Sequence, residues 1–219
     1  MNDLQLQLIE LTKANDDKAI KKLLEEKLQE EPNNIDLLLR LAIVSTYDPD
    51  FDEERCIECL EKVLTLNKNN ATALLLLAYV QEKHFGEIDD TLRQRIEAIE
   101  TQENETRAML KYVASWFYRW TDNEKEKQCL IESINMYPGL VNNYMRLAEL
   151  YFKENKNTEA KLLVEIGLKN VQKIYVKNNL PKDTTDINEF INGYIKGIFQ
   201  MDTILEWIKE HWLTEDKTN

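Results

Sequence analysis

The sequence predicts an all-α solenoid of stacked helix-turn-helix units. Three observations predict it: a scarcity of helix breakers, a repeat of 34 to 36 residues, and apolar residues spaced by three and four within each repeat. Five glycines and four prolines among 219 residues fall far below the usual combined share of roughly 12%. Charged residues make up 31% and hydrophobic ones 43%, so the chain is soluble yet apolar enough to bury a core. The longest apolar run, Ala73 to Val80, is far shorter than the roughly 20 residues that span a bilayer.

The repeat is read from three stretches with one layout: Pro32 to Ala42, Lys68 to Ala78 and Pro138 to Ala148. Each has a breaker or polar stop, then a large apolar residue, then an apolar-alanine pair three and four positions later. The pairs are Leu41-Ala42, Leu77-Ala78, Val113-Ala114 and Leu147-Ala148. Only 11 alanines occur in the chain, so four in register are a pattern. Residues three and four apart share one face of a helix, and a small residue there admits a second helix closely.

The units run over about 1–34, 35–70, 71–106, 107–140 and 141–174. In the first, Leu4, Leu8, Leu11 and Leu24 carry the stripe up to Pro32. In the second, Leu38, Leu41 and Ala42 lead to a second helix through Cys56, Leu60 and Val63. The third has Leu74, Leu77 and Ala78, then Leu92, Ile96 and Ile99; the fourth Leu110, Val113, Ala114 and Phe117, then Leu130 and Ser133. The fifth has Tyr144, Leu147, Ala148 and Tyr151, then Ala160, Val164 and Gly167. Polar turns at Tyr47-Asp-Pro-Asp, Lys83-His-Phe-Gly, Thr121-Asp-Asn and Glu154-Asn-Lys-Asn join the two helices of the last four units. A single pair cannot bury its own stripe, whereas stacked neighbours can. Beyond residue 174 the register stops; an apolar stripe from Ile187 to Phe199 and a helix near Asp202 to Leu213 are expected to form a cap over 175–219.

This layout resembles the tetratricopeptide repeat family, over about residues 1–174. That pattern has large residues at positions 4, 11 and 24, an apolar one at 7 and small ones at 8, 20 and 27. The unit from Val141 fits it throughout. Departures are Ser45 and Gln81 at position 11 and Glu126 at position 20. The resemblance implies a right-handed superhelix of about five repeats, whose first helices line a concave groove that binds a peptide or helix of a partner protein. Its groove positions correspond here to Leu39, Ile43 and Tyr47, then Leu75, Tyr79 and Glu82. The next units add Lys111, Ser115, Tyr118 and Arg119, then Asn142, Met145, Glu149 and Phe152. Leu39, Ile43, Leu75 and Tyr79 would make either an apolar patch of the kind that marks an interface or a surface covered by superhelical closure or by the C-terminal helices. They also stand where members that clamp a chaperone's C-terminal carboxylate carry Lys, Arg or Asn, which argues against that role.

Catalytic and cofactor chemistry finds no foothold. The five glycines form no phosphate-binding loop, and His84 and His211 lack ligand-spaced partners. Cys56 and Cys59 make a C-x-x-C inside a helix, with no preceding strand and no second pair for zinc. No enzyme activity, metal or cofactor is therefore expected.

Charge is uneven: residues 1–106 carry 12 basic and 24 acidic residues, residues 107–174 carry 11 and 8, and the whole chain is −12. Such a balance disfavours nucleic acid as a partner, and an acidic half could steer a basic protein. The expected function is a protein-binding scaffold in the cytoplasm, with no membrane partner and homo-oligomerisation left open. The alternatives are an immunity or inhibitor protein for a basic toxin or enzyme, or an acidic secretion chaperone. Trp116, Phe117, Tyr118 and Trp120 cluster near the charge boundary, with Phe117 expected in the core and the two tryptophans between units.

Overall fold

A computed structural model of the chain describes residues 3–46 and 52–174, with side chains to residue 170. The described residues form ten α-helices and no strand. They divide into two compact units, the first within Met1–Ile88 and the second within Asp89–Asn178. The first holds α1 (Asp3–Lys13), α2 (Asp17–Glu30), α3 (Ile35–Ser45), α4 (Glu53–Leu66) and α5 (Ala71–Phe85). The second holds α6 (Asp90–Ala98), α7 (Asn104–Trp116), α8 (Asn123–Met136), α9 (Val141–Lys153) and α10 (Asn157–Ile174). The division falls inside the third expected repeat. The expected turn at Tyr47-Asp-Pro-Asp and the cap over 175–219 lie outside the described residues.

Helix starts are written in the sequence as short polar side chains. Asp16, Asp52, Asp89 and Asp122 accept hydrogen bonds from the amides of Ala19, Arg55, Leu92 and Lys125 at the starts of α2, α4, α6 and α8. Asn34 and Asn70 do the same for Leu37 and Ala73 in α3 and α5. Each satisfies one of the amides that a helix start leaves without an intrahelical partner. Asparagine caps α3 and α5 and aspartate α2, α4, α6 and α8, whereas α7 and α9 follow Glu103 and Leu140, which make no side-chain cap hydrogen bond. Between these caps the helix propensity of Leu, Glu and Lys carries the chain.

Turn geometry follows the same economy. The amide of Asp16 reaches back to the carbonyl of Leu11, and that of Lys156 to Tyr151. This closure needs a left-handed residue just before, and Asn15 (φ 53°) and Asn155 (φ 61°) supply it. Gly86 (φ 72°) ends α5, which runs through Phe85, so the turn expected at Lys83 begins three residues later than the sequence suggested. After α7 the amides of Phe117, Tyr118 and Arg119 bond three residues back, tightening the chain into a 3₁₀-like turn. Trp120 then takes φ 68°, a conformation that costs a residue with Cβ about 1–2 kcal/mol.

Packing in each unit follows the predicted register at most positions; Ile99, Ala114 and Phe117, which was expected in the core, are only half-buried. In the first unit α3 packs on α4, with α2 on α3 and α4 on α5. Leu41, Ala42, Leu60, Val63, Leu74, Leu77 and Ala78 are closed to solvent. In the second, α7 packs on α8, α8 on α9 and α9 on α10. Val141, Ala148, Ala160, Val164 and Leu168 form one buried cluster, with Met145, Tyr151, Phe152 and Leu163 against it. Ser133 donates to the carbonyl of Ala108 (2.6 Å) and accepts from Asn143 (2.9 Å), tying α7, α8 and α9 together.

Glu126 explains itself only in three dimensions. It stands where the family pattern has a small residue, yet it is 0% exposed. Both its oxygens accept from Arg146 of α9, at 2.6 Å from Nε and 3.1 Å from Nη2. Arg146 also donates through Nη1 to Glu149 at 2.8 Å. A buried carboxylate is tolerable because the guanidinium fork satisfies it bidentately. Glu126→Ala is expected to lower unfolding stability by about 3 kcal/mol, since it removes the bidentate partner of a buried cation and leaves Arg146 with Glu149 alone. The double variant Glu126→Ala with Arg146→Met is expected to lose less than the two single changes combined; chemical denaturation of all four proteins measures both.

Candidate functional site

The expected groove residues fall into two groups. Leu39, Ile43 and Leu75 are 4%, 0% and 1% exposed, so the apolar patch they were expected to form is closed to solvent. The cause is visible in α3, where Leu37 to Ser45 are all buried, and in α5, where Ala73 to Ala78 are. A helix apolar around most of its circumference is a buried helix, and in α3 even Arg40 is buried with it. Tyr47 lies outside the described residues. Ser115 and Asn142 are buried as well, and Asn142 lies on the first turn of a helix, α9, that is buried along most of its length.

Tyr79, Glu82, Lys111, Tyr118, Arg119, Met145, Glu149 and Phe152 are half-buried. Tyr79 lies under Lys83, whose Nζ is 5.9 Å from the ring centroid. Lys111 faces Glu132 of α8 at 2.7 Å. It also lines a cavity of about 670 Å³ in the second unit, with Glu97, Ile99, Arg107, Leu110 and Met136 among its walls. Met145 and Phe152 are committed to the α9–α10 core, and Glu149 to Arg146.

What the second unit brings together is a cation-aromatic corner at the end of α7. Arg93 lies 5.3 Å from the ring centroids of both Phe117 and Tyr118, and Lys125 lies 5.4 Å from Tyr118. Arg119 stacks on Trp116 at 5.2 Å, and Trp116 meets Tyr112 edge to face. Trp120 is 79% exposed, a departure from the packed position expected for it. Arg146 and Lys153 of α9 stand 5.3 and 4.8 Å from its ring centroid. Contacts of this kind contribute about 0.5–1 kcal/mol each at exposed sites. Their sum is comparable to the backbone cost of holding Trp120 left-handed. The sequence marked the aromatic cluster but not Arg146 or Lys153, which reach it from the next repeat.

Electrostatics around this corner are nearly neutralised. Lys127 pairs with Glu124 and Glu154, Lys156 with Glu154 at 2.7 Å, and Lys125 with Asp122 at 3.4 Å. Lys153 is exposed, and among the described residues no carboxylate lies within ion-pair distance of it. The hydrogen bond from Lys111 holds Glu132 below the ordinary glutamate value of 4.5, and that from Lys127 does the same for Glu154.

The thiols are shielded. Burial pushes Cys56 up to about 12 and Cys59 to about 11, and it raises Cys129 too. A helical C-x-x-C in this state packs as two small apolar residues. His84 Nδ1 lies 3.8 Å from a Glu53 oxygen. Among the described residues there is no cluster of metal-ligating side chains, and no helix is long and apolar enough to cross a membrane.

No protein-family model matches the chain, and no curated protein matches it significantly. Solved structures do. The crystal structure of MamA has 18% identity and a TM-score of 0.59, covering 75% of this chain and 94% of that one. MamA from residue 41 onward, from Desulfovibrio magneticus RS-1, has 16% identity and a TM-score of 0.59, covering 80% and 99%. PilF of Pseudomonas aeruginosa has 14% identity and a TM-score of 0.63, covering 97% of this chain and 93% of that one. These neighbours are tetratricopeptide-like helical solenoids, and the described helices share that fold.

Two outcomes are expected. At pH 8 the native thiols should react with a disulfide reagent at least about a hundredfold more slowly than in the unfolded chain, because thiolate is scarce at the pKa values of Cys56 and Cys59. The lowered carboxyls of Glu132 and Glu154 stabilise the fold above their unfolded pKa, and that stability is lost as pH falls below about 4.5 through the folded values. Glu132→Gln should flatten this acid slope in thermal melts between pH 6 and 3, and an unchanged slope would contradict the assignment.

Proposed function

We propose that the chain is a non-catalytic interaction module that holds a peptide or helix of a partner protein. The supporting observation is the cation-aromatic corner of the second unit. Indole and phenol rings and Arg are the side chains that dominate interface energetics; here Trp116 and Tyr118 are half-buried and Trp120 is 79% exposed. The tetratricopeptide-like fold supports the same reading, because such scaffolds present helix faces to partners. Recognition on this view needs no chemical step. Tyr118 and Arg119, expected groove residues that stay partly accessible, form the inner edge of the contact, and the α7–α8 turn its rim.

The closure of Leu39, Ile43 and Leu75 changes how the proposal is tested. Leu75→Glu would put a charge into the core and report on folding. The informative variants are Tyr118→Ala and Arg119→Glu, with circular dichroism to show that the helices persist. Tagged wild-type protein is expected to retain a stoichiometric partner from its source lysate, with retention falling about tenfold in either variant. Equal retention by folded variants would remove this surface from the function. An inhibitor of a basic protein, supported by the acid excess over residues 1–106, predicts instead that high salt strips the partner while both variants keep it.

A further inference from the structure

We infer that the Trp120–Lys153 corner is an anchor for an acidic segment of a partner protein, one that places an apolar side chain on the indole and a carboxylate on the Lys153 ammonium; this rests on the interaction reading above. Three observations lead to it. The first is the charge pattern: Lys111, Lys125, Lys127, Arg146 and Lys156 each have a carboxylate partner. Lys153 has Trp120 alone, 4.8 Å from its Nζ, among the described residues. A carboxylate arriving there meets a cation with no competing acid already bound to it.

The second is the placement of the indole. A left-handed residue at a helix end is normally Gly or Asn, as Asn15, Asn155 and Gly86 are in the other turns of this chain. Trp120 breaks that rule and exposes most of its surface, so neither the turn nor the core accounts for it. The third is orientation. Arg146 and Lys153 lie seven residues apart on α9, two turns along one face. Both reach the same ring, but Arg146 is held by Glu126 and Glu149. The corner is therefore polarised: of the two cations over the ring, Arg146 is neutralised and Lys153 is open. An acidic segment fits this polarity, and a basic one would set like charge on Lys153.

The experiment uses the full chain and two soluble fluorescein-labelled peptides, one of Glu-Glu-Leu repeats and one of Lys-Lys-Leu repeats, titrated by anisotropy. The Glu peptide is expected to bind, and Lys153→Glu to weaken it about tenfold or more. Trp120→Asn should weaken it similarly while leaving the melting temperature unchanged or higher, because Asn suits the left-handed turn. Raising salt to about 0.5 M should weaken it as well. Equal binding of the Lys peptide, unchanged affinity in folded Lys153→Glu, or no binding of the Glu peptide would overturn the inference. So would sedimentation showing that Lys153→Glu dissolves a self-assembled species, which would assign the corner to a second copy of this chain. Should the peptide fail while Lys153→Glu still retains a protein partner that Arg119→Glu loses, the acidic anchor falls and the interaction module stands.

Discussion

A helix pair of this length cannot bury its own apolar stripe, and every other feature of the two units follows from that constraint. The stripe must be covered by the next helix, which forces close approach at a fixed height in each repeat. Alanine holds that height at Ala42, Ala78 and Ala148, all 0% exposed. Close approach then requires each helix to begin and end at set places. The Asn and Asp caps and the left-handed turn residues provide this at small free-energy cost. Burial supplies most of the driving force, and the caps make it register-specific.

Glu126 shows how far such a scaffold can depart from its own pattern. A small residue at that position would let α7 and α8 close on each other without further help. A carboxylate there must be neutralised, and it draws Arg146 across from α9 into a bidentate pair. Arg146 is then committed to α8, its own Glu149 and the ring of Trp120 at once. The departure in the core and the exposed indole at the turn are thus joined through one guanidinium. Local packing and surface chemistry are coupled here by charge satisfaction.

Much of the fold was legible in the sequence because helical period, small-residue spacing and caps are local signals. Leu41-Ala42 and Leu147-Ala148 announce their helices and the face that each buries. The accessible surface was less legible, because exposure depends on what packs against the second face of a helix. Leu39, Ile43 and Leu75 fit the groove positions by register, yet they are buried. The runs Leu37 to Val44, interrupted by Arg40 alone, and Ala73 to Val80 carried that signal, since apolar residues around most of a helix mark it as enclosed. Trp120, Arg146 and Lys153 were illegible as a group because they meet across a turn and a repeat boundary, where no sequence period applies. The same holds for Glu126 and Arg146, partners 20 residues apart.

The positive-φ turn residues show where this chain spends backbone strain. Asn15, Asn155 and Gly86 occupy the left-handed region at little cost. Trp120 occupies it at a cost of about 1–2 kcal/mol that two cation-π contacts only roughly offset. A residue whose turn would be better served by asparagine, and whose side chain stays largely in water, contributes little net to folding. On the proposed reading, its energetic return comes from a state in which the indole is covered. Covering it removes apolar area from water and strengthens its contacts with Arg146 and Lys153 by excluding solvent. The strained turn, the exposed ring and a lysine with no carboxylate partner among the described residues would then all be served by one proposed event, the arrival of a partner.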